Sequence, residues 1–285
     1  MRYAFDHGIT SFDLANNYGP PYGSAEETFG RLMEKDFSPF RDEMFLSTKA
    51  GHDMWPGPYG NWGSRKHLFA SLHQSLRRMK VEYVDVFYSH RYDPDTPLEE
   101  TMQALVDVVK QGKALYVGLS KYPYDVAVRA YRYLREHDTP CLLYQGKLSM
   151  LNRAPIEEGI LRQSFEEGAG FVAFSPLAQG LLTNRYLDGI VPEDSRMAQD
   201  HFLKRASLTP GLLEKLHLLA GLARDRSQSL AQLALMWVLQ HEEVTSVVIG
   251  ASSVKQLREN LEATMFPPLD MEELEYISRI LNEDL

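Results

Sequence analysis

The chain predicts an α/β protein on a parallel sheet, from three observations. Short β-branched or aromatic runs recur about every 25 to 35 residues, stretches with helical apolar spacing separate them, and each connection is long enough to bring the chain back parallel to its last strand. The runs read as buried strands are Ile9 to Leu14, Met44 to Lys49, Val84 to Ser89, Ala114 to Leu119, Cys141 to Gln145, Phe171 to Phe174 and Ser246 to Ile249. Between them, Leu68, Leu72, Leu76 and Met79, and Met102, Leu105, Val108 and Val109, mark amphipathic helices.

Helix starts are expected where a short polar side chain can accept a bond from an orphan backbone N–H, with Glu or Gln three residues on to return it. Ser24 with Glu27, Thr96 with Pro97 and Glu99, Ser229 with Gln232, and Asp270 with Glu273 fit that rule. Gly112 and Gly168 stand where a left-handed residue ends a helix. The rhythm breaks once, where a stretch rich in Pro, Gly and charge from Leu187 to Pro210 precedes two helices, and this is read as a long functional loop. Periodicity leaves open whether the sheet closes. At 285 residues the chain has the size of one α/β barrel or of two average domains, and a single domain over 1–285 is expected.

Composition narrows the partners. Hydrophobic residues at 44% and charged ones at 24% suit a packed core. Thirty Lys and Arg against 39 Asp and Glu leave a formal charge of −9, the wrong sign for neutralising nucleic-acid phosphates. The longest apolar runs are too short or too interrupted to cross a bilayer, and no apolar run suited to a signal peptide follows Met1. The one cysteine, Cys141, has no internal partner, which fits a reducing compartment. A cytoplasmic protein is expected, with no nucleic acid, no membrane and a small-molecule substrate; a homo-oligomer is left open.

Rossmann and P-loop glycine spacings are absent, so a nucleotide would need another device. Three successive strands, however, end on ionisable residues: Asp13, Lys49 and His90. In a parallel barrel those ends share one face, and Tyr18 stands five residues past Asp13 in a Gly- and Pro-rich loop above it. Each alone has an ordinary role, as a loop cap, a solvated cation, an interior histidine or a packing ring. Charged residues that close apolar strands are seldom buried unless paired, and three together are harder to dismiss.

Phe12 to Gly19, Ser47 to Gly51, Val84 to His90, and Val248 to Ser252 with Gln256, Glu259 and Asn260 resemble the aldo-keto reductase superfamily. Met54 to Gly60 and Phe174 to Leu182 resemble its bacterial L-glyceraldehyde 3-phosphate reductase group, itself similar to potassium-channel β subunits. The resemblance runs from about residue 2 to about residue 280. It implies a (β/α)8 TIM-type barrel that binds NADPH and reduces small aldehydes such as L-glyceraldehyde 3-phosphate or methylglyoxal through Asp13, Tyr18, Lys49 and His90.

These residue types suit that chemistry. Hydride delivered to a carbonyl carbon leaves charge on oxygen, so a placed acid must supply a proton, and Tyr18 is that acid. A phenol does this well only beside a cation, which Lys49 provides. Opposite charges ~4 Å apart at an effective dielectric near 20 attract by roughly 4 kcal/mol. Asp13 would hold the lysine, and neutral His90 would orient the carbonyl oxygen.

The resemblance also implies that Ser120 and Gln145 meet the nicotinamide carboxamide, Phe174 stacks on the ring, and Ser175 and Leu177 follow the pyrophosphate. Gly250 and Ser252, in the stretch Gly250 to Ser253 leading into a helix, would meet a phosphate. Gln256, Glu259 and Asn260 would surround the adenosine, with Arg185 and Arg196 toward its 2′-phosphate. Among Trp55, Tyr59, Trp62, Arg65, Lys66 and Arg91, all expected on the catalytic face, Trp55, Arg65 and Arg91 are singled out as substrate contacts. No metal is expected.

The pattern is broken in three places. Lys121 follows Ser120 where the family more often has Asn or Ser, and Gly146 to Ser149 replaces a turn bearing Tyr and Asn. Met1 to Gly8 reads as the tail of the family's first barrel helix, so seven strands are expected, with the first lacking a counterpart. This keeps two other readings open, a nicotinamide-sensing regulatory subunit like the channel β chains and an inactive truncated barrel. His90 favours catalysis over the sensor, because the channel chains commonly lack that histidine.

Overall fold

A computed structural model describes residues 1–193, Ser195, Met197, Ala198 and 204–283. Along the chain the elements are α1 (Arg2–Asp6), β1 (Ser11–Asp13), α2 (Ser24–Leu32), β2 (Phe45–Ala50), α3 (Arg65–Met79), β3 (Val84–Ser89), α4 (Leu98–Lys110), β4 (Ala114–Ser120), α5 (Tyr124–Glu136) and β5 (Cys141–Lys147). They continue as α6 (Ala154–Glu157), α7 (Ile160–Glu166), β6 (Gly170–Phe174), α8 (Pro210–Asp225), α9 (Leu230–Leu239), β7 (Val244–Val248), α10 (Val254–Glu262) and α11 (Met271–Asn282). All seven expected strands are present, in the alternation that the periodicity predicts, and the fold is of the expected α/β class.

The chain groups into two compact units. The first comprises residues 1–146 and 158–171, the second 147–157 and 172–285. In the first, β1 to β5 pair in parallel, each with the next. Every residue of β3 is buried, as expected of a parallel strand covered on both faces. Leu46, Val86, Phe87 and Leu119 from the strands and Leu68, Leu72 and Met79 from α3 form its core. In the second unit, Leu181, Tyr186 and Met197 make one apolar cluster, and Leu235, Met236 and Ala263 another.

Two of the four expected helix caps hold. Ser229 with Gln232 and Asp270 with Glu273 form complete capping boxes. Ser24 instead lies inside α2, which starts from the left-handed Gly23 with no side-chain cap. Thr96 gives its hydroxyl to Asp93, and Pro97 precedes α4. In both, a residue with a fixed or permissive backbone takes the position ahead of the helix, and the polar side chain is not the cap. Gly112 and Gly168 do take the left-handed conformation after their helices.

Helix α2 packs tightly on α3. A Cβ on Gly30 would lie 2.0 Å from the carbonyl oxygen of Arg78, so only glycine allows this approach. Nearby, the fully buried Glu26 accepts bonds from Thr48 Oγ1 (2.6 Å) and Arg78 Nε (2.8 Å), tying both helices to β2. Removing one partner of a buried ion pair strands the other. Glu26→Ala is therefore expected to lower stability by about 3–5 kcal/mol, measured as a fall in the urea unfolding midpoint.

Candidate active site

Strand register assembles the polar centre of the first unit. Asp13 pairs with Ser47, Lys49 with Tyr88, Tyr88 with Gly118, and Ser120 with Gln145. Ser47 and Lys49 are two residues apart and so share a face of β2. Both reach Asp13: Ser47 Oγ donates to Oδ1 at 2.7 Å, and Lys49 Nζ to Oδ2 at 2.5 Å. Gln145 Nε2 donates to the same Oδ1 at 3.1 Å. The Lys49 side chain is 0% exposed, and its ammonium also donates to the Leu14 carbonyl at 2.8 Å. Charge this deeply buried is tolerable because it is paired and hydrogen-bonded.

Above the pair lies the loop that leaves β1. Its Asn16 amide donates to the Lys49 carbonyl at 3.0 Å and Tyr18 N–H to Ala15 O at 3.1 Å, which fixes the loop over the end of β2. The ammonium of Lys49 lies 5.2 Å from the centre of the Tyr18 ring and 5.4 Å from that of Tyr88. Tyr88 fits because Gly118 opposite has no side chain; a Cβ there would lie 2.4 Å from the Tyr88 ring. His90 follows β3, its N–H bonded to Ala50 O at 2.9 Å, and presents its ring edge-on to Tyr18 at 6.1 Å between centres. Burial first, then Lys49, Lys121 and Arg91, hold its pKa far below the ordinary histidine value, so the ring is neutral. The three residues expected from the strand ends and Tyr18 from the loop therefore stand together in one unit.

Several neighbours were not among the expected site residues. Ser47 and Tyr88 belong to the centre, and the period-two spacing of Ser47 from Lys49 is a signal that could have found the serine. Asn16 is fully buried, and neither polar atom of its side chain has a protein partner. His52 stacks edge-on against His90 with ring centres 4.4 Å apart.

Among the expected cofactor residues of the first unit, Ser120 is buried with its hydroxyl lacking any protein partner. An orphan hydroxyl of this kind, paired in register with Gln145, suits a primary amide that can both donate and accept. Gln145 itself turns its amide nitrogen to Asp13 as well.

In the second unit, Phe174 is half-buried and accepts from Leu148 N–H through its carbonyl. Ser175, Ala178 and Gln179 all carry positive φ, so the loop past β6, which includes Leu177, is held in an unusual path. Arg185 is exposed and its N–H bonds to Thr183 Oγ1. Arg196 lies outside the described residues. Gly250, Ser252 and Ser253 are exposed at the start of α10, where Ser253 caps Gln256 N–H and the Gln256 side chain turns back to Ser252. Exposed backbone at a helix start fits an anion. Asn260 is buried, and Glu259 accepts from Gln232 through its carbonyl.

The three expected substrate contacts diverge. Arg91 follows His90 directly, and Trp55 leans on His67 in the loop after β2. Arg65 begins α3, pairs with Asp107 of α4 at 2.5 Å and lies over Phe69. Its guanidinium is committed to that helix pair by a nearby carboxylate that its sequence neighbours do not reveal.

Comparison with known proteins agrees with this geometry. A model of the aldo/keto reductase family matches residues 1–282. The chain is 53% identical over 283 residues to an L-glyceraldehyde 3-phosphate reductase of Escherichia coli O157:H7, covering 98% of this chain and 82% of that protein. It is 55% identical over 267 residues to the L-glyceraldehyde 3-phosphate reductase of Escherichia coli K12, covering 92% and 77%. A probable voltage-gated potassium channel β subunit of Arabidopsis thaliana is 35% identical over 269 residues, covering 93% of this chain and 80% of that one. A buried lysine–aspartate pair beneath a tyrosine, on strands of a parallel α/β fold and in a chain matched almost end to end, identifies this protein as an oxidoreductase belonging to the aldo/keto reductase family.

Proposed function

We propose that the chain reduces small aldehydes to alcohols with NADPH, Tyr18 donating the proton. The observation that carries this reading is the Lys49 ammonium, without solvent exposure, paired to Asp13 and 5.2 Å from the Tyr18 ring centre. NADPH, when bound, supplies the hydride. Ser120 and Gln145 would hold its carboxamide and Phe174 its ring. Ser175, Leu177, Arg185, Arg196, Gly250, Ser252, Gln256, Glu259 and Asn260 would serve the remainder, as in the family.

Tyr18 gives its hydroxyl proton to the carbonyl oxygen as negative charge grows there. Lys49 stabilises the phenolate left behind, and Asp13 keeps the lysine in place. Because it is buried and surrounded by cations, His90 stays neutral and offers one ring N–H to the same oxygen without competing as an acid. Trp55 and Arg91 belong to the loops around the substrate. Relatives named for L-glyceraldehyde 3-phosphate support a short, polar aldehyde, and a family match over 1–282 supports one barrel domain.

Tyr18→Phe is expected to cut NADPH oxidation with glyceraldehyde 3-phosphate or methylglyoxal by roughly 10²–10⁴-fold while leaving quenching of cofactor fluorescence in place. Equal turnover by variant and parent would remove the acid assignment. A parent that binds cofactor but turns over no aldehyde would favour the regulatory-subunit reading, which the similarity to a probable potassium channel β subunit supports.

The histidines set a pH signature. His52 is held at about 4 and His90 lower still, by burial first and neighbouring cations second, whereas unfolded histidine titrates near 6.5. As pH falls below about 6.5 the unfolded chain takes up protons that the folded chain refuses, so stability declines from there down to about 4 for the His52 contribution. Imidazole nitrogen shifts of both residues should stay flat across the neutral range, and the urea midpoint should drop below it. Titration of either ring near 6.5 would contradict the assignment.

A further inference from the structure

Beside His90 the first unit carries a group of polar cations that proton transfer does not use. Lys121, first after β4, brings its Nζ to 3.4 Å from His52 Nε2, and His52 in turn lies edge-on to His90. Arg91 donates from Nε to Gly51 O at 2.8 Å and from Nη2 to Asn61 Oδ1 at 2.7 Å, and lies flat over Trp62 at 3.6 Å. Two of its five N–H donors are thus spent on holding the guanidinium still. Lys121 is exposed and sits at φ +54°, a left-handed backbone that a non-glycine residue adopts only at a cost. Backbone outliers of this kind cluster at active sites and ligand clamps.

Two carboxylates, Asp53 and Asp93, face Arg91 and favour its charged form. Asp13 pairs with Lys49, Asp93 accepts from Gly63 N–H, Asp95 N–H and Thr96 Oγ1, and Asp53 accepts from Asn61. Lys49, Lys121 and Arg91 all disfavour a proton on His90.

We infer that Lys121, Arg91 and His52 form an anion subsite that takes the phosphate ester of the substrate aldehyde while His90 and Tyr18 hold its carbonyl end. This rests on the reducing role proposed for Tyr18 and Lys49. A phosphate presents three oxygens to donors arriving from three separate loops, after β2, β3 and β4, and the guanidinium and ammonium supply charge-assisted bonds. Lys121 would then set preference between substrates while taking no part in the proton transfer.

The test compares kcat/KM for glyceraldehyde 3-phosphate with that for methylglyoxal in the parent, Lys121→Met and Lys121→Arg. The ratio is expected to fall at least about tenfold in Lys121→Met, equivalent to about 1.4 kcal/mol, and to recover largely in Lys121→Arg. An unchanged ratio overturns the subsite. So does a loss that appears chiefly in the KM for NADPH, which would assign the lysine to the dinucleotide. In parallel, inorganic phosphate is titrated against the His52 imidazole resonances. A saturable shift in the parent that weakens in Lys121→Met supports the subsite, and no shift in the parent overturns it. If the parent reduces no carbonyl at all, the reductase reading fails while the phosphate titration still decides the subsite.

Discussion

An ammonium with no solvent exposure is the constraint around which the first unit is arranged. Burying the Lys49 ammonium is costly without Asp13 at 2.5 Å, and burying the Asp13 carboxylate is costly without the donors that complete it. Ser47 and Gln145 supply those donors, so one carboxylate joins β1, β2 and β5. Slipping β2 by one residue against β1 would turn Lys49 and Ser47 to the opposite face and leave the carboxylate buried alone. Register and charge therefore enforce each other.

The same pair orders the chemistry above it. With its negative partner held below, the ammonium faces two aromatic rings, and the Asn16 amide on the Lys49 carbonyl sets the loop that carries Tyr18. Cations on the loops after β3 and β4 join the burial that keeps His90 neutral. In the proposed reading, acid, cation and neutral donor are separated in role by their surroundings, with the Tyr18 and His90 ring centres 6.1 Å apart.

Some of this could be read directly. The strands appeared as apolar runs, with Val84 to Ser89 matching β3 residue for residue, and Asp13, Lys49 and His90 stood out as charges or imidazole where burial is expected. Two capping boxes were readable because both partners lie within three residues. Caps at Ser24 and Thr96 give way to local competitors: Gly23 takes the turn before α2, and Asp93, three residues back, accepts the Thr96 hydroxyl. The pairing of Arg65 with Asp107 is not legible locally, because the two lie 42 positions apart on different helices. His52 and Lys121 are 69 positions apart, and no local pattern announces that they meet.

Periodicity, capping and the order of apolar segments are properties of neighbouring residues, and they sufficed for the α/β class, the seven strands and the identity of the ionisable strand ends. Which of those ends touch depends on contacts spanning 34, 36 and 132 positions, from Asp13 to Ser47, Lys49 and Gln145. Such contacts exist only once parallel pairing has fixed the register, and a buried charge favours that register because a one-residue slip leaves it without a partner.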